Sequence, residues 1–400
     1  MSHLNRHIKE AARELGFEVA GITSIEPLTE DGRAFLKWCE EGFAAGMAYM
    51  TRRPELHARP KLLVPQAASL ITLAVNYYAP APPFAHENRY GRVARYAWGR
   101  DYHDVVKPRL ATLAKRIEEI AARPVRSRSF VDAVPLLERA AAARSGVGFF
   151  GKNTNLLQSA RGSWFFLAEI LVDLELERED REQQISCGTC HRCLDACPTD
   201  AFAGPYRLDS RRCISYLTIE NKGAIPRELR PKLQEWIFGC DVCQEMRPEA
   251  TKHGPLPVIV RGQSELVCPF NRFARRTDWR EFHPEAGVGP RLDLVDVLSI
   301  AGDEEFRAAF KGTPLTRPKR RGLLRNAAVV AANVGCLAAV PHLIERVERD
   351  PEPLVRSHAL WALARLDPRK AGPVVERALA DPDPLVRDEA AALASGEAVA

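Results

Sequence analysis

Four of the ten cysteines in this 400-residue chain form a comb, Cys187-Gly-Thr-Cys190-His-Arg-Cys193-Leu-Asp-Ala-Cys197-Pro198. Thiols at this spacing, with proline directly behind the last, make the C-x2-C-x2-C-x3-C-P run that wraps a cubane iron–sulfur cluster. The fourth cysteine of such a run ligates the other cluster of a pair, so a second set of thiols is expected downstream. Cys213, Cys240, Cys243 and Cys268 supply it, and Cys268-Pro269 repeats the ending of the comb. The pattern places Cys187, Cys190, Cys193 and Cys268 on one [4Fe-4S] cluster and Cys197, Cys213, Cys240 and Cys243 on the other. Structural zinc sites use paired C-x2-C units and fit three evenly spaced cysteines poorly. Disulfides belong to small secreted chains. Cys39 and Cys336, set in helical and apolar surroundings, read as small buried hydrophobes.

Other stretches carry groups able to do chemistry. Ser129-Phe-Val-Asp132-Ala-Val-Pro135 reads as a strand that ends in a carboxylate, ahead of a helix from Leu136 to about Arg144. A lone aspartate at that place is most often a cap or turn former. Arg95-Tyr96-Ala97-Trp98-Gly99-Arg100-Asp101-Tyr102-His103 is dense in aromatic and cationic groups and has no period, which suits a loop lining a site. Gly146-Val-Gly148-Phe-Phe-Gly151 matches G-x-G-x-x-G, but it follows a helix and runs into Lys152-Asn153-Thr154. The dinucleotide fingerprint needs a strand before it and a helix after it, so these glycines read as a tight turn bringing backbone close to a flat ligand. Two basic stretches, Thr313 to Asn326 (Arg317, Lys319, Arg320, Arg321, Arg325) and Phe270 to Arg280 (Arg272, Arg275, Arg276, Arg280), have the electrostatic footprint of a phosphate-rich partner. The bland alternative is a solvated loop at a helix start.

The elements that must position these groups are legible in outline. Residues 1–50 read as helix, strand and helix, 68–78 as a buried strand, and 105–122 as a helix. Ser163 to Val172 is a second greasy strand, interrupted by Glu169. Residues 175–186 resemble a linker, and Leu208 to Glu220 and Pro226 to Phe238 are expected to be helical. At the C-terminal end, Asp350-Pro-Glu-Pro-Leu-Val-Arg-Ser-His-Ala recurs as Asp381-Pro-Asp-Pro-Leu-Val-Arg-Asp-Glu-Ala, 31 residues on, the signature of a HEAT-like helical solenoid. A composition of 46% apolar and 27% charged residues with net charge +5 is that of an ordinary globular protein. The N-terminus lacks a signal-peptide pattern, and no run reaches the roughly 18 uncharged apolar residues of a membrane span. A cytoplasmic protein is expected, where thiols stay reduced.

With the cysteine comb, the Arg95–His103 stretch, Phe130-Val-Asp-Ala-Val-Pro-Leu-Leu-Glu-Arg-Ala140, Gly151-Lys-Asn-Thr154, Arg211-Arg-Cys-Ile-Ser-Tyr-Leu-Thr-Ile-Glu220, Gly239-Cys-Asp-Val-Cys-Gln-Glu245 and the helical repeats together, the sequence resembles the epoxyqueuosine reductases over nearly its whole length. The resemblance implies an α+β architecture. Residues 1–180 would form an N-terminal α/β cobalamin-binding catalytic domain, 181–285 a ferredoxin-like domain with two [4Fe-4S] clusters, and 286–400 an all-α HEAT-like repeat domain. It implies reduction of epoxyqueuosine to queuosine at the wobble position of a tRNA anticodon, with the clusters feeding a base-off cobalamin. Cluster potentials reach about −700 mV, which suits reduction of cobalt. An epoxide oxygen needs a proton to leave, and Asp132, which matches the family's catalytic aspartate, is the expected donor; burial against the corrin would favour its acid form. The resemblance offers His57, Tyr96, Ala97, Asp132, Lys152, Asn153, Thr154, Ser159, Trp164, Ser215, Asp241 and Val242 as cobalamin contacts, with the path from cluster to corrin through Asp241-Val242. The basic stretches and the solenoid would face the anticodon arm of the tRNA. The electron donor is an unidentified reduced partner, and the chain is expected to be a monomer. The chain departs from the family pattern at Met246 to Leu266, 21 residues inserted between the second C-x2-C and Val267-Cys-Pro. A corrinoid reductase of a small molecule, such as a dehalogenase, and a plain electron-transfer module are the rival readings.

Overall fold

The apolar run near residue 70 is a strand, Ser69–Asn76, buried along nearly its whole length. In the computed structural model, which describes residues 2–82, 87–180, 185–245 and 267–396, it is the second strand of a four-stranded sheet ordered Val19–Ser24, Ser69–Asn76, Phe165–Val172, Ser127–Phe130. Every neighbouring pair is antiparallel. The chain divides into two compact units, and this sheet belongs to the first, residues 1–80, 100–211 and 241–283.

The helix Glu138–Arg144 covers one face of the sheet. Its Ala140 and Ala141 meet Leu70, Phe130 and Leu171, and Ala142 meets Ala74. Small side chains let the backbones approach closely. A side chain at Gly21 would collide with the Ser145 carbonyl at 2.5 Å, which fixes glycine in that strand. The helix Tyr102–Ala121 begins where the Asp101 carboxylate accepts the His103 N–H, and it ends at Ala122 in the left-handed conformation. Its buried residues Val105, Val106, Leu110, Leu113 and Ile117 recur at helical spacing. The Gly146–Gly151 turn is confirmed as a turn, but its close approach is to the chain itself. A Cβ on Gly148 would lie 2.6 Å from the Leu157 carbonyl, and Phe149–Phe150 pairs with Leu156–Leu157.

The second unit comprises residues 81–99, 212–240 and 284–400. It holds a three-stranded sheet ordered Trp236–Phe238, Tyr90–Val93, Arg291–Asp293, followed by the repeat helices Lys319–Val334, Val340–Arg349, Pro353–Leu366, Pro368–Ala378 and Pro384–Ala394. The recurring Asp-Pro-x-Pro-Leu-Val-Arg motif has a mechanical reason. Arg356 donates to the carbonyls of Asp350 and Pro351 at 3.0 and 3.3 Å, and Arg387 does the same to Asp381 and Pro382 at 2.7 and 2.8 Å. Each arginine clamps the turn that starts its own helix.

Several local expectations need correction. The helix expected over 208–220 is confined to Ile214–Ile219, and 226–238 is two short 3-10 turns and a strand. Pro226 and Pro231 break the helical pattern there, and the Trp236–Phe238 run finds a partner in Tyr90–Val93 that local sequence does not reveal. Cys39 lies at the end of the helix Thr29–Glu40 and is only half-buried, whereas Cys336 is buried as expected. The basic stretch 313–326 is largely structural. Arg320 is buried on Asp350, Arg317 pairs with Glu220 at 2.6 Å, and Arg325 is fully buried. Arg325 donates to the carbonyls of Leu217, Asn221 and Gly223 at 2.6, 2.7 and 2.7 Å. Arg325→Ala would strand those carbonyls, so it is expected to cost roughly 3 kcal/mol or more of stability. A lowered denaturant midpoint of the full chain reads this out; a midpoint at the wild-type value would mean the carbonyls find other donors.

Candidate functional site

Cys187, Cys190, Cys193 and Cys268 line one cavity of ≈ 40 Å³ in the first unit, together with Lys152, Asn153, Leu157 and Phe270. The comb supplies three thiols because its tight turns, with Cys190 N–H donating to the Cys187 carbonyl at 3.0 Å, keep successive sulfurs on one side. Cys268 comes from the far end of the 246–266 excursion, which itself lies outside the described residues. It is anchored by its N–H on the Gln244 carbonyl at 3.3 Å and packed with Phe149, Leu157 and Phe270. Behind it, Asn271 is buried and bonds to Ser163 and to the Gln244 carbonyl, tying the cysteine segment to the entry of the strand Phe165–Val172. Burial, reinforced by the neighbouring thiols, pushes Cys193 up to about 12 and Cys268 up to about 11. Cys193 and Cys268, so placed, resist ionising on their own. Iron bound among them reverses this, because a coordinated thiol is deprotonated outright. The donor set therefore fits a cubane.

The remaining four cysteines are spread over both units. Cys197, in the first unit, has its sulfur accepting the Ala201 N–H at 3.3 Å and next to the Thr199 hydroxyl at 3.4 Å. Cys243, also in the first, has the Asn155 amide at 3.9 Å from its sulfur and the Asn153 amide on its carbonyl at 3.2 Å. Such N–H groups aimed at sulfur are one lever that sets a cluster's potential. In the second unit, Cys213 precedes the helix Ile214–Ile219 and Cys240 follows the strand Trp236–Phe238.

Asp132 stands in the first unit, just beyond the strand Ser127–Phe130 and ahead of the helix Glu138–Arg144. It adopts a left-handed backbone, φ 46°, which is uncommon outside glycine. Its Oδ2 accepts the Tyr102 hydroxyl at 2.8 Å, and its N–H donates to Glu138 Oε1 at 3.0 Å. Asp132 is exposed in the protein itself; the burial expected for it was against the corrin. His57 is not a surface residue. It is 4% exposed, its ring packs on Phe35 and its carbonyl accepts the Leu137 N–H at 2.8 Å. Its Nε2 is buried with no hydrogen-bond partner, and burial lowers its pKa. An orphaned buried nitrogen of this kind is the sort of atom a bound cofactor would satisfy.

The other proposed corrin contacts divide by what they touch. Lys152 donates to the Gly188 carbonyl at 2.6 Å and Asn153 to Cys243, so both side chains are engaged with the cysteine loops. Thr154 has a left-handed φ of 65° and its carbonyl accepts from Arg139. Ser159 is half-buried, and Trp164 is 1% exposed against Tyr77 and Tyr78. Asp241 and Val242 are buried in the turn that carries Cys243. In the second unit, Tyr96 packs on Phe238, Ala97 is fully buried and Ser215 lies on the short helix after Cys213.

Comparison with known proteins gives this geometry a lineage. Residues 57–133 match a family model described as epoxyqueuosine reductase QueG, DUF1730; residues 186–249 match a 4Fe-4S double cluster binding domain, and 321–395 match HEAT repeats. The epoxyqueuosine reductase of Pseudomonas aeruginosa is 40% identical over 91% of this chain and 95% of its own length. The chain belongs to the epoxyqueuosine reductase family. It is an oxidoreductase of mixed α and β architecture with two [4Fe-4S] clusters and a HEAT-repeat end. A crystal structure of an epoxyqueuosine reductase with an epoxyqueuosine-modified tRNA-Tyr stem loop superimposes with a TM-score of 0.86 at 28% identity, covering 98% of both chains. The Bacillus subtilis epoxyqueuosine reductase, captured with its catalytic aspartate loop swung out of the active site, gives 0.83 at 28% identity and the same coverage.

Within this epoxyqueuosine reductase family member, sequence reasoning missed Glu138 and Tyr102, which hold Asp132, and saw Glu169 only as a break in a greasy strand. The signal for Glu169 was present: a charged residue inside an otherwise apolar buried strand is almost never there unpaired. Cys268→Ala is expected to cut iron from about eight to about four atoms per chain in anaerobically purified protein, since one cubane loses a ligand. Full iron content in that variant would move Cys268 out of the ligand set.

Proposed function

We propose that this chain reduces epoxyqueuosine to queuosine at the wobble position of tRNA anticodons, with cobalamin as the second cofactor and Asp132 as the proton donor. The observation that carries the reading is the identity with named epoxyqueuosine reductases over nine-tenths of the chain. Converting the epoxide to an alkene consumes two electrons and two protons and releases water. The clusters, held by the eight cysteines, would supply the electrons, and cobalamin, when bound, would supply a strongly reducing cobalt centre. His57, with its unanswered Nε2, is the residue of the first unit best suited to hold the corrin, beside Asn153, Thr154 and Ser159. Lys152 serves the sulfur cavity in this reading. Asp132, exposed yet steered by Tyr102 and Glu138, gives its proton to the departing oxygen.

The division of labour follows the segments set out above: 1–180 for cobalamin and catalysis, 181–285 for the clusters, 286–400 for the repeats. Arg275, Arg276 and Arg280 are exposed and offer phosphate contacts to an anticodon arm, with the modified base turned out into the pocket. Among the described residues no helix is long and apolar enough to cross a membrane, and the cytoplasm, where thiols stay reduced, is the compartment this chemistry suits. The chain would work as a monomer with a separate reduced electron donor.

Protein purified without oxygen should show cluster absorption, take up cobalamin, and convert an epoxyqueuosine-bearing stem loop; failure of either cobalamin uptake or conversion in the reduced wild-type protein rejects the function. Asp132→Asn should lower kcat on the order of 10²–10⁴-fold while keeping both clusters and cobalamin absorbance. Retention of full kcat would remove Asp132 from the acid role. Replacing Arg275 and Arg280 by alanine should weaken stem-loop binding and flatten its log–log salt dependence by roughly 0.7–0.9 per lost phosphate contact. An unchanged slope would place the RNA elsewhere.

A further inference from the structure

Behind Asp132 lies a second acid that no step above uses. Glu169 sits in the middle of the strand Phe165–Val172, paired across the sheet with Thr72 on one side and Phe130 on the other. It is 0% exposed, and no N–H or hydroxyl among the described residues answers either of its carboxyl oxygens. The group acting on it most strongly is the carboxyl of Glu138, the first residue of the helix Glu138–Arg144 that packs on this sheet. Two carboxyl groups this near each other, one of them fully buried, stay together only when one of them keeps a proton. Glu138 then uses Oε1 to accept the backbone N–H of Asp132, in its left-handed conformation, at 3.0 Å.

We propose that Glu138 is a positioning residue, which with Glu169 forms a proton-sharing carboxyl pair that latches the Asp132 segment onto the sheet and so aims the acid. The inference rests on the reading of Asp132 as the proton donor. A purely structural role fits the geometry less well. A glutamate serving only as a helix-start acid would point to water, and an apolar residue at 169 would pack the strand better than a buried acid does. Ionisable groups kept under such conditions cluster at functional sites.

The pair also carries a pH dependence. Burial first, then repulsion from Asp132, raises Glu138 to about 8; burial, then Glu138 itself, raises Glu169 well above the ordinary glutamate value. Asp132 and Arg139 are the other charged groups acting on the pair, the aspartate raising and the arginine lowering, while Glu169's register partners on the adjacent strands, Thr72 and Phe130, carry no charge. Below about 8 the shared proton stays and the latch is closed. As pH rises through that value the proton is lost, two anions face each other in the sheet, and the segment is released.

The test compares full-length wild type, Glu138→Ala and Glu138→Gln, each loaded with clusters and cobalamin. Hydrogen exchange is followed in the peptide spanning 130–137, and kcat and KM are measured for the stem loop across neutral to alkaline pH. E138A should speed exchange at the Asp132 amide and lower kcat by roughly 10–100-fold with KM little changed. E138Q still accepts the Asp132 N–H through its amide oxygen. It should restore the exchange protection, recover most of the kcat lost in E138A, and lack the wild-type fall in kcat above about pH 8. Wild-type exchange and kcat in E138A, or the wild-type alkaline fall in E138Q, overturn the latch. An E138A chain that misfolds reveals itself by lost cluster absorption, and the pH profile of E138Q then decides. A wild-type protein unable to convert epoxyqueuosine defeats the parent reading instead, and the exchange data still judge the latch.

Discussion

Cys268, Glu169 and Arg325 each carry a group that water would leave ionised or free to ionise, and each is buried. Taking charge out of water is costly unless something inside the protein answers it, and the chain meets that demand differently in each place. Arg325 is answered by three backbone carbonyls, so it holds the repeat unit to the segment 217–223. Glu169 is answered by another carboxyl and a shared proton. Among the described residues, no cation is a main influence on Cys193 or Cys268. Lys152, the basic side chain lining that cavity, spends its ammonium on the Gly188 carbonyl. That leaves the sulfur set chemically incomplete without metal, which is why the geometry reads as a cofactor site and not as a core.

The antiparallel sheet links the two chemistries of the first unit. The strand Phe165–Val172 presents Glu169 beneath the Asp132 segment, and its entry at Ser163 is pinned by Asn271, three residues after Cys268. A shift of one residue in this strand's register would turn Glu169 to the opposite face. The long pairing with Ser69–Asn76, eight residues in register, resists that slip. The small alanines of the helix Glu138–Arg144 bring its first carboxyl close to the sheet.

What could be read from the sequence was whatever short spacing encodes. The comb at 187–197 announces its cluster because the ligands are neighbours in sequence, and the 31-residue repeat announces its solenoid because Arg356 and Arg387 act within their own turns. Long-range partners were invisible. The stretch 313–326 looked like an RNA-binding surface because nothing local shows that Arg320 ends on Asp350 or Arg325 on Leu217. Residues 226–238 looked helical because the pairing of Trp236 with the strand Tyr90–Val93 lies far away in sequence. The burial of His57 could not be read locally because it depends on the fold around Phe35. Asp132 was found through the family pattern, but its left-handed backbone and its bond to Glu138 came from the structure alone.

That backbone deserves a physical account. A non-glycine residue in the left-handed region costs roughly 1–3 kcal/mol and persists only where surroundings enforce it. Here the enforcement is thin: one bond from Glu138 to the N–H and one from Tyr102 to the carboxylate. Two hydrogen bonds, each accepted by a carboxyl oxygen, supply about as much as the strain costs. The segment is therefore near balance between held and released. Near-balance suits the task. In the proposed role, an acid that meets a base delivered on a large RNA has to stand at the surface, and it must also be aimed when the substrate arrives. A deeply packed aspartate would be aimed but unreachable, and an unconstrained one reachable but unaimed. Strain answered by two bonds would let the proposed proton donor yield to entry and return to register.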